Sequence, residues 1–113
     1  MKLPNYEKAV VPKAKITDYL LSLTHRDGRS KAEFFMRFGF LSEQWEILAE
    51  SLKCHAVYNE IAKTETSYFG TRYVIEGVIF SPDRRNPYVR SVWFIESGSD
   101  IPFFVTAYPL KGK

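Results

Sequence analysis

Apolar residues recur every three or four positions through the first half of the chain and alternate through the second half, a change of period that separates helices from strands. Ile16, Tyr19, Leu20 and Leu23 set a first helix over 13–23, which must stop before the turn signal Asp27-Gly28. In Ser30-Lys31-Ala32-Glu33 a serine precedes a glutamate at capping-box spacing, so a second helix starts at Ser30. Phe34, Phe35 and Phe38 form its apolar stripe, and Gly39 is placed to end it in a left-handed conformation. Ser42 opens a third helix, with Glu43 and Glu46 near its positive end. Trp45, Leu48, Ala49, Leu52 and Ala56 carry that helix to His55 or Ala56.

Beyond residue 56 the pattern predicts a polar edge strand over 57–66 and further strands over 71–80, 88–96 and 102–108. The turns between the later strands lie at 81–87 and 97–100. Residues 1–12, with two prolines and little periodicity, predict an extended arm. The expected fold class is α+β, with about three N-terminal helices packed on a C-terminal antiparallel sheet of about four strands. Phe34, Phe35, Trp45, Leu48, Leu52 and Trp93 are the expected main core.

At 113 residues the chain suits one domain over 1–113, and its 45% apolar and 16% aromatic content rules out a disordered chain. No apolar run approaches the roughly 18–20 residues of a membrane span. The first residues lack the apolar stretch of a signal peptide, so a cytoplasmic protein is expected. Cys54 is the sole cysteine, which excludes an intramolecular disulfide, and its helical position suggests a small buried hydrophobe. Two histidines do not make a catalytic zinc site, and no carboxylates cluster. The expectation is therefore no metal and no cofactor. A Gly-rich phosphate loop, a Ser/His/Asp signature and a dinucleotide fingerprint are all missing. Nothing sets an oligomeric state.

The net charge of +3 is unevenly spread. Lys2, Lys8, Lys13 and Lys15 make the start basic, and Arg26, Arg29, Lys31 and Arg37 do the same for the second helix. Glu43, Glu46, Glu50, Glu60 and Glu65 make the middle acidic. One positive face would suit a phosphate-bearing partner, and a mixed solvated surface is the alternative. His25 sits among Arg26, Arg29 and Lys31, just before a helix whose free N–H groups favour a phosphate. It is a candidate proton carrier, or an exposed turn residue. Arg90 lies mid-strand, either paired with Glu76 on the neighbouring strand or open to a phosphate. Thr106 and Tyr108 offer hydroxyls on one strand face, and the tyrosine can stack on a base. His55 reads as a structural residue at a helix end.

Three blocks carry a resemblance. They are His25-Arg26-Asp27-Gly28-Arg29-Ser30-Lys31-Ala32-Glu33-Phe34-Phe35, then Arg90-Ser91-Val92-Trp93-Phe94-Ile95, then Val105-Thr106-Ala107-Tyr108-Pro109. With the opening Leu3-Pro4-Asn5 they resemble a bacterial family of small uncharacterised domains with the pattern HxxGxxKAxFF, VWxI, VTAYP. More distantly, helices followed by a sheet that closes on this strand are similar to the ribonuclease toxins grouped with barnase, EndoU-type nucleases, colicin nucleases and RelE. That resemblance implies RNA cleavage without metal, and a small neutralising partner protein. It implies catalytic roles for His25, Lys31, Arg90, Thr106 and Tyr108, with Arg29 and Trp93 contacting substrate. The chain lacks a second well-placed histidine, which argues against a two-histidine mechanism. The alternatives are a non-catalytic protein- or nucleic-acid-binding module, antitoxin-like or phage-associated, and a small-molecule enzyme with an aromatic pocket.

Overall fold

Three helical segments precede four consecutive strands, so the fold is α+β. The structure is a computed structural model that describes residues 1–110; residues 111–113 of the expected 1–113 span lie outside it. We label the helical turn Lys13–Lys15 together with the π turn Ile16–Leu20 as α1, Arg29–Arg37 as α2 and Trp45–Tyr58 as α3. The strands are β1 (Ile61–Ser67), β2 (Gly70–Val78), β3 (Tyr88–Glu96) and β4 (Phe103–Pro109). All neighbours pair antiparallel in the order β1-β2-β3-β4, as short connections dictate.

The ends of the helices show where local signals sufficed. After α2 the amide of Phe40 donates to Phe35 O (3.3 Å) and that of Gly39 to Met36 O (3.1 Å). Gly39 has φ +100°, and the Phe35 and Phe40 rings meet at 5.9 Å. This is a Schellman stop with its hydrophobic contact. The capping box does not form. The helix starts at Arg29 with Gly28 at its cap, so Ser30 already lies inside the first turn, and Glu33 turns to Arg29 at 3.7 Å.

The first helix is shorter than its apolar spacing implies. Its last turn widens, the Leu21 amide donating to Ile16 O at 2.8 Å, and Leu23 falls outside it, exposed. The third helix is shifted rather than longer: Ser42–Gln44 form a 3-10 turn before it, and its end runs on to Tyr58, where the Asn59 side chain donates to His55 O (3.0 Å) and Val78 O (3.3 Å), capping the helix and tying it to the sheet. The edge strand therefore begins at 61 rather than 57.

One face of the sheet receives the helices. Ile75, Val89, Trp93, Phe104 and Ala107 join Ile16, Leu20, Phe35, Leu48 and Leu52 in the core, with Phe34 and Trp45 half-buried against it. The other face carries Arg72, Val74, Glu76, Arg90, Val92, Thr106 and Tyr108 by strand alternation. The N-terminal segment contains a short turn at Tyr6–Lys8 and buries Leu3. Val10 then pairs in parallel with Phe103, its amide donating to Pro102 O and its carbonyl accepting from Phe104. That pairing ends at Phe104, which leaves the Thr106 end of β4 open on its outer edge.

Candidate functional site

Tyr19, in the π turn, is the meeting point of the separated blocks. Its hydroxyl lies 2.8 Å from Thr106 Oγ1, on the open stretch of the β4 edge. The His25 ring packs edge-on against the Tyr19 ring at 5.0 Å. Gly28 makes this closeness possible, since a Cβ there would lie 2.1 Å from the Tyr19 carbonyl oxygen.

The turn itself is built on the histidine. His25 Nδ1 accepts the amides of Asp27 and Gly28, each at 3.0 Å, and His25 O accepts the amide of Arg29. An imidazole nitrogen that accepts carries no proton, so the neutral ring holds its proton on Nε2. Lys31 reaches back from α2 to donate to Asp27 O (2.9 Å), its ammonium 5.5 Å from the Tyr19 ring centre. The interval of three in H-x-x-G thus places the Gly28 amide on the imidazole, and the next interval of three brings the lysine over the turn.

Thr106 faces Val92 across the sheet and Tyr108 faces Arg90, so the two hydroxyl residues share a face about 6–7 Å apart along the strand. Arg90 donates to Glu76 through Nε at 2.8 Å and also through Nη2, and Nη1 lies 3.4 Å from the Tyr108 hydroxyl. Tyr108 and then Glu76 raise the pKa of the guanidinium, which stays charged. These residues, with Lys63 and Arg72, line a groove of about 340 Å³. The candidates therefore fall into two neighbouring sets: His25, Lys31 and Thr106 round Tyr19, and Arg90 with Tyr108 in the groove. A second groove, between Phe94, Glu96, Ser99 and Phe103, contains none of them.

Two substrate-contact expectations fare differently. Arg29 is exposed on α2 beside Glu33. Trp93 is fully buried on the helix side of the sheet, its ring against Phe104 at 5.4 Å and its Nε1 donating to Ser91 Oγ. It belongs to the core, where its strand phase puts it, and offers no binding surface. Tyr19 was read from sequence only as an apolar helix position; the signal it lacked was its partner 87 residues away.

His55 and Ser91 make a serine–histidine hydrogen bond of 2.8 Å, yet both are buried. Ser91 donates to Nδ1 while Nε2 donates to Gly77 O at 3.1 Å. The ring is a satisfied core group, neutral rather than charged, because burial pushes its pKa down. Cys54 is only half-buried, and burial followed by the Glu50 carboxylate raises its thiol. Among the described residues no three His, Cys, Asp or Glu side chains cluster as a metal site, and no helix is long and apolar enough to cross a membrane.

The chain belongs to a family described as a domain of unknown function, DUF6883, whose pattern matches residues 2–111. No curated protein sequence matches it. Its fold is similar to a chain in a contact-dependent growth inhibition toxin–immunity protein complex from Klebsiella pneumoniae 342, with a TM-score of 0.73. The two are 20% identical over 89% of this chain and 99% of that one.

Proposed function

We propose that the protein is a metal-independent endoribonuclease toxin module, held in check by a small immunity protein and acting on RNA in the cytoplasm. The observation that carries the reading is the contact of the His25 loop, through Tyr19, with the hydroxyl of Thr106. It joins a histidine turn to β4, which bears Tyr108, itself paired across the sheet with Arg90 of β3. The likeness to a chain of a toxin–immunity complex supports the toxin and partner parts.

In this chemistry a ribose 2′-OH gives its proton to water and attacks the adjacent phosphate, and the 5′-oxygen leaves with a proton taken from water, giving a 2′,3′-cyclic phosphate. The phosphorane needs donors and cations around it. His25 offers Nε2–H, and with Nδ1 held by two amides the neutral ring serves as a hydrogen-bond donor toward the phosphate oxygens rather than as the base. Lys31, Arg29 and Arg90 supply positive charge, Thr106 positions the phosphate, and Tyr108 stacks a base.

Purified protein and labelled RNA, with and without EDTA, test this. Cleavage without divalent ions, leaving cyclic phosphate ends, is the expected result. His25→Asn keeps an acceptor for the two amides but removes the Nε2 proton, and should lower the rate by about 10²–10³. Cleavage that requires a divalent ion, or that survives this substitution at full rate, overturns the mechanism.

The exposed hairpin tip favours a second reading. Tyr68 and Phe69 stand 90% and 73% exposed beside an uncovered β1 edge, which suits a non-catalytic protein-binding module. A protein that cleaves no RNA, yet binds a partner through these two residues, would be that module.

A further inference from the structure

Tyr19 gathers more positive charge than the roles above use. Lys15, on the preceding turn, places its ammonium 5.7 Å from the Tyr19 ring centre, and the ammonium of Lys31 lies 5.5 Å from the same centre. Among the described residues neither ammonium has a carboxylate within ion-pair distance. The arginines expected to bind phosphate do, Arg29 facing Glu33 and Arg90 facing Glu76. Two ammonium groups against one ring repel each other, and the ring's π cloud offsets this only in part.

The other polar groups here also donate. In the Tyr19–Thr106 hydroxyl pair one proton lies between the oxygens, so the accepting hydroxyl keeps its own proton to give outward. His25 adds Nε2–H. All five residues are half-buried, open enough for a ligand and shielded enough for their charge to count.

We propose that Lys15 and Lys31 form a clamp for one phosphodiester group of single-stranded RNA, built on the Tyr19 ring and completed by the free hydroxyl proton and His25. The inference rests on the ribonuclease reading only for the source of the phosphate. It adds Lys15 to the site and moves the phosphate from the Arg90 groove, where Glu76 already occupies the guanidinium, to the β4 edge.

A single-stranded DNA oligonucleotide tests the clamp without turnover, because it carries phosphodiesters but no 2′-OH. NMR titration should shift the His25 ring, Tyr19 and Thr106. Lys15→Gln and Lys31→Gln should each weaken binding about fivefold at 0.1 M salt and flatten the slope of log affinity against log salt by about 0.7, one phosphate contact fewer. Lys13→Gln removes the same charge two residues away, where the ammonium lies over Trp45 at 5.8 Å, and should leave the slope unchanged.

Equal losses in the Lys13 and Lys15 variants, shifts confined to Arg90 and Tyr108, or no oligonucleotide binding would each overturn the clamp. So would an acidic partner protein whose binding alone depends on the two lysines. If the oligonucleotide binds as described while RNA is not cleaved, the clamp stands and the ribonuclease reading fails. If RNA is cleaved by Lys15→Gln with unchanged KM and kcat, the reading stands and the clamp fails.

Discussion

Replacing Gly28 by alanine isolates the contact that assembles the Tyr19 cluster. The backbone at Gly28 has φ −92° and ψ −18°, which any residue adopts without strain. In open space such a Gly→Ala change stabilises a protein by about 0.4–1 kcal/mol through the unfolded chain. Here the new methyl would lie 2.1 Å from Tyr19 O and 2.9 Å from Tyr19 C. A carbon–oxygen contact needs about 3.3 Å, so the turn must retreat by roughly 1 Å. Tyr19 O cannot simply yield, because it accepts the Ser22 amide at 3.2 Å.

A retreat of that size takes His25 away from Tyr19 or pulls the Asp27 and Gly28 amides off Nδ1. Overpacking costs about 1–3 kcal/mol and a lost hydrogen bond about 0.5–1.5 kcal/mol. The net expectation is a destabilisation of about 2–3 kcal/mol, a fall in Tm of roughly 10 °C for a chain of this size. Thermal and urea unfolding followed by circular dichroism measure it. Amide hydrogen exchange should show residues 27 and 28 losing protection. An unchanged or raised Tm would refute the reasoning, since the sign itself depends on the clash.

Leu48→Ala or Leu52→Ala, at fully buried positions of α3, should each cost about 2–5 kcal/mol in urea unfolding. His55 gives stability a pH dependence: its pKa is lowered in the fold, so below about 6.5 the unfolded ring takes up a proton that the native ring does not. Stability should therefore be complete above pH 6.5 and fall as pH drops towards the folded pKa, a slope that His55→Gln should flatten. Arg90→Ala should cost no more than about 1 kcal/mol, because the side chains of the Arg90–Glu76 pair are 34% and 31% exposed; a larger loss in unfolding experiments would show that Glu76 is stranded in a drier site.

The strands and the α2 stop were legible because their signals are local. Alternation from Tyr88 to Glu96 matches β3 residue for residue, and Phe35, Gly39 and Phe40 carry every part of the Schellman stop. The capping box was misread because Ser30 and Glu33 have the right spacing whether the helix begins at Ser30 or one residue earlier, and the His25 turn supplies the cap instead. The π turn was invisible for a similar reason. Ile16 and Leu20 are buried in either winding, so their pattern does not report that the turn between them widens. Trp93 was legible as core by phase, while its expected substrate contact came from a motif, which records that a residue matters without saying on which face.

The two nitrogens of His25 explain why the candidate site was only half legible. From sequence, a histidine among cations in a loop reads as a proton carrier or as an exposed turn residue, with its two nitrogens alike. In the fold its Nδ1 is committed to Asp27 and Gly28, so the ring is oriented by the turn it caps, and only Nε2 is left for another partner. A fixed ring is what a positioned donor requires. The local half of that arrangement is written in the H-x-x-G spacing. The other half, the approach of Tyr19 to Thr106, depends on the sheet closing with β4 at its edge and on the N-terminal segment ending its pairing at Phe104. Neither condition leaves a periodic trace, so the residue that joins the blocks could be found only once β4 and the π turn had positions in space.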